Sequence, residues 1–356
     1  MKIVTIVGTR PELIKMSEFL KKADMIFEHK LIHTGQNYSP NLSEVFFEDF
    51  DLRRPDYWLD VASEGPDLML GNIINKSYAI LKEIKPKAIV VYGDTHSCLS
   101  AISAKRLGIP VFHVEAGNRS FDKHLPEEMN RKIVDHISDV NICLSSNAKQ
   151  YLLNEGIRGD RVFNIGSPMK EIFTRYSQGI SKENVERLYG QKDFILMSLH
   201  RDFLMNNTVL LNEVIKAIVD VSDSRGLNVI MTAHPRSMNL VKVERSNFRI
   251  VPAVGYKEFV SLMLSAKIVC SDSGTITEES HSYGIKALSI RNSHERPEGL
   301  EGGQIVHSGY DPTSIGWVLG VMLDNDFSDG FTSDYEVSNW SDRLIKIILT
   351  ELCTRF

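Results

Sequence analysis

The sequence predicts two consecutive α/β domains, each built on a doubly wound parallel sheet, and three observations support this fold class. The 356 residues are too many for one ordinary hydrophobic core, which favours two domains of roughly 150–200 residues each. Short β-rich runs alternate with helical patterns along the chain, as in repeated β–α units. Continuous apolar runs such as Ala88–Val91 are typical of strands buried on both faces of a parallel sheet.

The N-terminal half carries the first set of predicted elements. Its strands are predicted at Lys2–Val7, Lys30–His33, Ala88–Tyr92, Val111–Val114 and Val140–Leu144. The helices between them include Pro11–Lys22, Leu68–Ile84 and Cys98–Leu107. Strands that alternate with helices in this way form the units of a parallel sheet.

The second set of elements begins after Gly166. Its strands are predicted at Phe194–Leu199, Asn228–Thr232, Phe248–Ile250, Lys267–Ser271 and Ala287–Ile290. Its helices are predicted near Thr208–Ser222, Tyr256–Ser265, Thr275–Tyr283 and Pro312–Leu323. We therefore predict a first domain over residues 1–168 and a second over residues 169–335, with a ligand cleft between them. The last amphipathic stretch, residues 340–352, is expected to pack back on the first domain.

Composition limits the classes of function. Hydrophobic residues make up 42% of the chain and charged residues 24%, the balance of a globular protein. A formal net charge of −5 argues against a nucleic-acid partner. The four cysteines (Cys98, Cys143, Cys270 and Cys353) form no CxxC pair. This spacing favours reduced thiols over a disulfide framework or a zinc site.

The sequence predicts a cytoplasmic protein that neither contacts a membrane nor binds a metal. The N-terminus is typical of a first strand and not of a signal peptide, because charge follows one short apolar run. No run approaches the ~18 apolar residues of a transmembrane helix. The 11 histidines include no HExxH motif, and His113 with Glu115 fits strand alternation better than a pair of metal ligands.

The segment Gly8–Glu12 (GTRPE) directly follows the first predicted strand. Proline is favoured at the first position of a helix, and the N–H groups of a helix start attract anions. Arg10 could form a paired hydrogen bond to a phosphate there, although a tight turn with a solvated arginine fits the spacing equally well. The GxGxxG fingerprint is absent from the chain, which argues against a bound nicotinamide cofactor.

Three segments place carboxylates at predicted strand ends or in the loop that follows. These carboxylates are Asp94 in GDT, Glu115 in HVEAG and Glu127 in PEEMNR. Open α/β sheets bind ligands at the carboxyl ends of their strands, and carboxylates in a partly dry cleft are natural acid–base groups. Taken singly, each fits a helix cap or a surface charge better. Their convergence on one edge favours catalysis.

Two histidines follow predicted strands of the second domain. His200 stands in the segment Ser-Leu-His-Arg and His234 in the segment Thr-Ala-His-Pro. A single histidine in such a position is usually structural. Two of them facing a cleft lined by carboxylates favour at least one contact with a ligand.

The most informative segment is Cys270–Glu279, which combines a strand end, a Ser/Gly turn and a helix start. Ser273 and Gly274 would offer a hydroxyl and unobstructed N–H groups to a diphosphate. Glu278 has capping-box spacing from the helix start, and Glu279 could accept hydrogen bonds from ribose hydroxyls. An ordinary N-capped helix explains the turn but leaves both glutamates and a nearby Arg-Pro-Glu segment without a role.

Taken in order, these motifs resemble those of the non-hydrolysing UDP-N-acetylglucosamine 2-epimerase family. The matching segments are GTRPE at 8–12, HTGQ at 33–36, GDT at 93–95, HVEAG at 113–117, PEEMNR at 126–131, the His200-Arg201 pair, DSG at 272–274 followed by EE, and ERPE at 295–298. The resemblance covers residues 3 to about 310. It implies the GT-B fold, with two Rossmann-like domains and a C-terminal helix that returns to the first.

Other segments resemble the branch of this family that makes UDP-N-acetyl-L-fucosamine for capsule or O-antigen. They are HTGQNY at 33–38, EVFF at 44–47, Asn118-Arg119 and GSPMKE at 166–171. That branch inverts C2 of UDP-2-acetamido-2,6-dideoxy-L-talose. The chain departs from the common family pattern at Thr275, where a glycine is usual, at Thr277, where a glutamine is usual, and at Asp202–Leu204, where a glutamate is usual.

The resemblance implies an isomerase that uses no cofactor. UDP leaves C1, C2 loses its proton to give a 2-acetamidoglycal, and a proton returns on the opposite face as UDP is added back. Motif position assigns the proton transfers to Asp94, Glu115 and Glu127, without separating acid from base. Stabilisation of the leaving diphosphate is assigned to Arg10, His200, Ser273 and Gly274.

Further residues are matched to the family by position. Lys15, one turn into the first helix, either assists the diphosphate or is simply solvated. Phe259 matches the position that stacks on uracil, although it also fits a helical core face with its neighbours. Gln36, Arg201 and His234 match positions near a second, regulatory nucleotide-sugar. The family also implies a homodimer.

Four alternatives stay open. The substrate of the same reaction could be UDP-N-acetylglucosamine with its manno epimer. A GT-B glycosyltransferase would need an acceptor groove, and a hydrolysing epimerase would release free sugar and UDP. A catalytically silent sensor of nucleotide-sugars is suggested by Asp202 and Thr275.

Overall fold

The computed structural model describes residues 1–36, 47–64, 66–190, 193–233, 235–325, 327 and 330–356. The contacts of the chain divide it into two compact units. Unit 1 comprises residues 1–174 and 333–356, and unit 2 comprises residues 175–332. The predicted domain limits, 168 and 335, lie a few residues from these, because the helix that begins at Met169 contributes its first turns to unit 1.

Unit 1 contains a parallel sheet of strand order β3-β2-β1-β4-β5-β6-β7. Its strands are β1 (Lys2–Val7), β2 (Glu28–His33), β3 (Tyr57–Trp58), β4 (Ala88–Tyr92), β5 (Val111–Val114), β6 (Val140–Cys143) and β7 (Val162–Asn164). The five predicted strands are all present. The edge strands β3 and β7 escaped prediction because two and three residues are too few to show an apolar pattern.

The helices of unit 1 cover both faces of this sheet. In chain order they are α1 (Arg10–Ile26), α2 (Pro66–Ile84), α3 (Ser100–Arg106), α4 (Pro126–Ile137), α5 (Ser146–Asn154) and α6 (Met169–Tyr176). Helix α1 runs longer than predicted, because Phe19, Leu20 and Ala23 continue its buried face. Helix α3 starts later than predicted, since His96–Leu99 form a 3-10 turn.

Unit 2 contains a parallel sheet of strand order β10-β9-β8-β11-β12-β13. Its strands are β8 (Phe194–Ser198), β9 (Asn228–Ala233), β10 (Phe248–Pro252), β11 (Ile268–Ser271), β12 (Ala287–Ser289) and β13 (Ile305–His307). Its helices are α7 (Lys182–Tyr189), α8 (Asp202–Met205), α9 (Thr208–Asp223), α10 (Pro235–Met238), α11 (Tyr256–Ser265), α12 (Ile276–Tyr283), α13 (Pro297–Glu301) and α14 (Pro312–Asp324). None of the described helices combines the length and the apolar character needed to cross a bilayer.

The last helix, α15 (Trp340–Thr354), belongs to unit 1. Trp340, Leu344 and Ile348 are fully buried in the same core cluster as Phe19 and Ala23 of α1. Polar contacts hold the start of α15, since the Ser341 hydroxyl and backbone N–H donate to the buried Glu171 at 2.6 and 2.8 Å. The core of unit 1 is therefore completed by a segment that follows unit 2 in the chain.

Both sheets have the strand order of doubly wound α/β folds, as predicted. In each, the order reverses beside the first strand of the unit, between β1 and β4 in unit 1 and between β8 and β11 in unit 2. Ligands of open parallel sheets bind outside the carboxyl ends of the strands at this point. The segments after these strands carry GTRPE, GDT, the His-Arg pair and DSG.

Candidate functional site

A buried carboxylate holds the turn after β1. Glu12 is 2% exposed, and its Oε2 accepts hydrogen bonds from the Gly8 backbone N–H at 2.7 Å and the Ser97 hydroxyl at 3.0 Å. Its Oε1 accepts from the hydroxyls of Thr9 at 3.0 Å and Thr95 at 2.6 Å. Burial raises the pKa of Glu12 to about 7, and these hydrogen bonds offset part of that rise. Glu12 thus joins the GTRPE turn to the GDT loop, which its motif alone did not predict.

Arg10 begins α1 at the carboxyl edge of the sheet. Thr9 precedes it with an extended backbone, φ −131° and ψ 162°, and makes no side-chain cap, because its hydroxyl donates to Glu12 instead. The Arg10 side chain is half-buried, and burial lowers the pKa of its guanidinium. A cation in the first turn of this helix is well placed for an anion at the sheet edge.

Lys15 and Tyr92 bind the same oxygen of Glu115. The Lys15 Nζ lies 2.7 Å from Glu115 Oε2, and the Tyr92 hydroxyl donates to this oxygen at 2.8 Å. The side chains of Lys15 and Glu115 are 3% and 9% exposed. Of the two predicted alternatives for Lys15, a solvated side chain is therefore wrong: Lys15 is a buried partner of a predicted catalytic carboxylate.

Asp94, in the loop after β4, is bound by α4. Arg131 donates from Nη2 to Asp94 Oδ2 and from Nη1 to Glu128 Oε2, the latter at 3.0 Å. The Asn130 side-chain amide donates to the Asp94 backbone carbonyl at 2.9 Å. Both the side chain and the backbone of Asp94 are therefore positioned by the PEEMNR motif.

The two adjacent glutamates of that motif have different environments. Glu128 is buried; burial by itself would raise its pKa, but the Ser120 backbone N–H and the Arg131 guanidinium lower it below its ordinary value. Glu127, the predicted catalytic residue, lies half-buried in the first turn of α4. No hydrogen bond or ion pair joins its carboxylate to Asp94 or Glu115 within the described residues.

His113 has a structural role behind the carboxylates. Its Nδ1 lies 2.8 Å from Asp135 Oδ1, and its Nε2 lies 2.7 Å from the Gly93 carbonyl oxygen. Asp135 also accepts from the Gly117 backbone N–H at 3.2 Å and from Arg119 at 2.7 Å. This buried group connects the loop after β4 to the loop after β5, which carry Asp94 and Glu115.

Gln36, a predicted regulatory contact, belongs to the hydrogen-bonded group around Glu12. It is 9% exposed, and its Nε2 donates to the Thr95 hydroxyl at 2.9 Å. The nearby His33 stacks on Trp58 with ring centroids 4.1 Å apart, and burial lowers its pKa to about 4. The end of HTGQNY (residues 37–38) and most of EVFF (residues 44–46) lie outside the described residues.

In unit 2, the fully buried Asp272 fixes the turn after β8. Its carboxylate accepts the backbone N–H groups of His200 and Arg201 at 2.9 to 3.1 Å. The Arg201 Nε donates to the Asp272 backbone carbonyl at 2.9 Å. The His200 side chain is 54% exposed, with its Nδ1 3.3 Å from Asp272 Oδ1. His200 is thus open to a ligand on a fixed backbone, whereas His234 lies outside the described residues.

The Ser-Gly turn after β11 leads into α12, but not through a capping box. The Ser273 backbone N–H donates to the Ser271 hydroxyl at 3.1 Å, and the Ser273 hydroxyl lies 2.9 Å from that of Thr275. Thr275, at the N-cap, makes no side-chain cap. The predicted capping box is wrong because Glu278 Oε1 accepts from Arg296 Nε at 2.9 Å, and a buried ion pair holds this carboxylate.

A buried group of arginines and glutamates lies behind Gly274. Glu295 accepts from Arg291 at 2.7 Å and from Arg296 at 3.0 Å. A Cβ at Gly274 would lie 2.6 Å from Glu295 Oε1 and 3.2 Å from Arg291 Nη1. Only glycine fits here without displacing these side chains. The ERPE motif therefore supports the turn, and no local spacing predicts it because Glu278 and Arg296 are 18 positions apart.

Phe259 and Glu279 complete the predicted residues of unit 2. Phe259 is partly exposed in the first turn of α11, whereas Leu262 and Met263 are buried. The helix therefore separates this ring from its core-facing side chains. Glu279 lies half-buried in the first turn of α12. In the parts of the chain described, no three His, Cys, Asp or Glu side chains cluster as metal ligands.

Known proteins share both the sequence and the fold of this chain. The family model described as UDP-N-acetylglucosamine 2-epimerase matches residues 20–349. The UDP-2,3-diacetamido-2,3-dideoxy-D-glucuronate 2-epimerase of Pseudomonas aeruginosa strain PAO1 is 32% identical over 304 residues, 83% of this chain and 84% of that protein.

Two solved structures agree with this match. The UDP-N-acetylglucosamine 2-epimerase of Rickettsia bellii is 38% identical, with 99% of this chain and 97% of that chain covered and a TM-score of 0.90. The enzyme of Methanocaldococcus jannaschii, solved with UDP-GlcNAc and UDP, is 30% identical, with coverages of 98% and 100% and a TM-score of 0.91. These neighbours confirm the predicted GT-B fold of two Rossmann-like domains. This chain therefore belongs to the non-hydrolysing UDP-N-acetylglucosamine 2-epimerase family and is an isomerase.

Proposed function

We propose that this protein inverts C2 of a UDP-2-acetamido sugar by eliminating UDP and adding it back. One observation carries the proposal: two carboxylates at the carboxyl edge of the unit 1 sheet are each bound to a buried cation. Asp94 pairs with Arg131, and Glu115 pairs with Lys15. A neighbouring cation stabilises an ionised carboxylate, which is the form that a general base requires.

The reaction avoids direct removal of the C2 proton from an intact sugar, because C2 is not beside a carbonyl. Departure of UDP from C1 leaves an oxocarbenium-like carbon, which makes the neighbouring C2–H acidic. Loss of this proton gives a 2-acetamidoglycal. UDP then returns to C1 while a proton is added to the opposite face of C2, so that the product is an isomer of the substrate.

We assign the proton transfers to Asp94, Glu115 and Glu127. Asp94 and Glu115 are held in place by side chains from α4, α1 and β4. Glu127 is half-buried in the first turn of α4. General acid–base groups of this kind contribute on the order of 10²–10⁴-fold each to a rate.

Binding of UDP is assigned residue by residue, from motif position. Arg10 in unit 1 supplies a guanidinium, and the exposed His200 in unit 2 supplies a ring that can donate to the leaving diphosphate. Ser273 and Gly274 offer a hydroxyl and backbone N–H groups where α12 begins. The half-buried Glu279 is assigned to the ribose hydroxyls, and the partly exposed ring of Phe259 is assigned to uracil, with Lys15 acting through Glu115.

The proposed substrate is UDP-2-acetamido-2,6-dideoxy-L-talose, with UDP-N-acetyl-L-fucosamine as the product. Support comes from the HTGQNY, EVFF, Asn118-Arg119 and GSPMKE segments. UDP-N-acetylglucosamine and UDP-2,3-diacetamido-2,3-dideoxy-D-glucuronate are the competing substrates, because proteins similar to this chain are named for them. A role in capsule or O-antigen synthesis, a homodimer, and regulation through Gln36, Arg201 and His234 stay predictions from the same resemblance.

The test is incubation of the protein with these three UDP-sugars in D₂O, followed by NMR of C2. Epimerisation with deuterium at C2 and no net release of UDP supports the proposal, and the sugar that exchanges fastest identifies the substrate. Release of free sugar supports a hydrolysing epimerase. UDP release that depends on an acceptor supports a glycosyltransferase, and binding without turnover supports a sensor.

Asp94→Asn tests the proton transfer. This change keeps the shape of the side chain but removes a carboxylate that can take up a proton. We expect deuterium incorporation at C2 to fall by roughly 10²–10⁴-fold. The matched control is Asp139→Asn, since Asp139 is also paired with a cation, Lys105 at 2.8 Å, and lies beside the amino end of β5. Near-normal exchange in Asp94→Asn would remove Asp94 from the mechanism.

A further inference from the structure

We propose that Tyr92 is a positioning residue that fixes the carboxylate of Glu115 for proton transfer at C2. The inference rests on the proposed function, because it takes Glu115 as one of the groups that move the proton. Tyr92 itself has no part in the motif assignments, and its ring lies in the unit 1 core at 2% exposure.

The backbone of Glu115 is the first observation. Its φ is 63°, in the left-handed region that non-glycine residues rarely adopt. Its neighbours hold this conformation, since the Ala116 N–H donates to the Ile142 carbonyl at 3.1 Å and the Gly93 N–H to the Val114 carbonyl at 2.9 Å. Such conformations persist where surrounding structure fixes them, and they cluster at functional sites.

The hydrogen-bond geometry is the second observation. Lys15 reaches Glu115 Oε2 from α1, and Tyr92 reaches the same oxygen from the end of β4. Both donors are buried, so water does not compete freely for this oxygen. Because they approach from different elements, rotation of the carboxylate would break both contacts. The Lys15 ammonium also lies 5.7 Å from the centre of the Tyr92 ring.

These contacts separate the roles of the two donors. Lys15 supplies charge, which holds Glu115 in its ionised form. The Tyr92 hydroxyl fixes the orientation of the Glu115 carboxylate, because a neutral donor adds little charge but restricts the angle of the group that it binds. Proton transfer requires the accepting oxygen to be within hydrogen-bond reach of the proton. A carboxylate that is free to rotate therefore slows transfer of the C2 proton but leaves binding of UDP intact.

Tyr92→Phe removes only the hydroxyl and keeps the buried ring. We expect kcat, counted per UDP-binding site by calorimetric titration, to fall roughly 10–100-fold, the effect of losing a hydrogen bond to a charged group. We expect KM and the Kd of UDP to stay within about twofold. Formation of the 2-acetamidoglycal should slow by the same factor, since the misaligned carboxylate delays removal of the C2 proton.

Two comparisons separate positioning from a loss of folded protein. Ser77→Ala removes another fully buried hydroxyl of unit 1, which bonds Ser103 at 3.0 Å, and it should lower thermal stability without changing exchange per site. In a Glu115→Gln background, Tyr92→Phe should have no additional effect on kcat, because it acts through Glu115.

The outcomes distinguish this inference from the proposed function. If the unmodified protein exchanges C2 of no UDP-2-acetamido sugar, the proposed function fails. If it does exchange C2, and Tyr92→Phe turns over within twofold of it per UDP-binding site, only the role of Tyr92 is refuted. If Tyr92→Phe lowers kcat by the same factor in the Glu115→Gln variant as in the unmodified protein, the role of Tyr92 is also refuted.

Discussion

At the scale of single residues, the carboxylates at the carboxyl edge of the unit 1 sheet differ in what surrounds them. Glu115 is bound by an ammonium and Asp94 by a guanidinium, whereas Glu12 accepts hydrogen bonds from a backbone N–H and three hydroxyls. The motifs identified the segments that carry these carboxylates. They could not separate Glu12 or Glu128 from their neighbours, because burial of one side chain depends on residues far away in the chain.

The environment of Glu12 predicts a pH-dependent contribution to stability. Burial raises its pKa to about 7 from an ordinary 4.5, so between these values the folded protein holds a proton that the unfolded chain has lost. Stability therefore falls as the pH rises through this range, by about 3 kcal/mol in total. In Glu12→Gln this loss is absent. The Tm of the variant relative to the unmodified protein should rise between pH 5 and pH 8 in scanning calorimetry.

A matched control is Glu83→Gln, which removes an exposed carboxylate on α2. Its Tm relative to the unmodified protein should not change with pH. A pH-independent difference for Glu12→Gln as well would mean that Glu12 is ionised throughout this range.

At the scale of elements, the strands and the turns differ in how far they could be predicted. Buried parallel strands such as β4 are continuous apolar runs, so their positions followed from the sequence. The turn before α12 did not, because Arg296 takes the carboxylate of Glu278 that a capping box requires. A local spacing rule fails where a distant ion pair competes for the same side chain.

Gly274→Ala tests the turn that we assign to the diphosphate. The added Cβ would meet Glu295 Oε1 at 2.6 Å and displace it from its arginine partners, an overpacking effect of roughly 1–3 kcal/mol. We expect UDP to bind about 5–100-fold more weakly by isothermal titration calorimetry. Gly71→Ala, on the exposed side of α2 where no atom lies within 4 Å of the added Cβ, should bind UDP normally. Unchanged affinity in Gly274→Ala would argue against this turn as the diphosphate site.

At the scale of the whole molecule, each unit has a core of its own. Leu344 of α15 is buried in the unit 1 core, and Leu319 of α14 is buried in the unit 2 core. The number of domains followed from length and from the two sets of β–α units. The return of a late helix to the first unit was expected from its amphipathic pattern and from the resemblance, whereas its partners in the core depend on long-range packing and were not predicted.

Leu344→Ala and Leu319→Ala form a matched pair for this division. Each removes a fully buried leucine side chain, at a cost of about 2–5 kcal/mol. By hydrogen exchange, Leu344→Ala should deprotect amides of α1 and β1 and leave β8 and β9 unchanged. Leu319→Ala should deprotect amides of β8 and β9 and leave α1 and β1 unchanged. Equal deprotection of both sheets by either variant would show that the molecule opens as one cooperative body.

The place of α15 in the chain also has a consequence for biosynthesis. Domains generally fold in order as the nascent chain leaves the ribosome. Here the first sheet emerges early, but the helix that covers Phe19 and Ala23 is translated only after the whole of unit 2. Until then the apolar side chains of α1 that α15 covers stay exposed and available to a chaperone. Unit 2 can therefore complete its core before unit 1 does, although it is translated later.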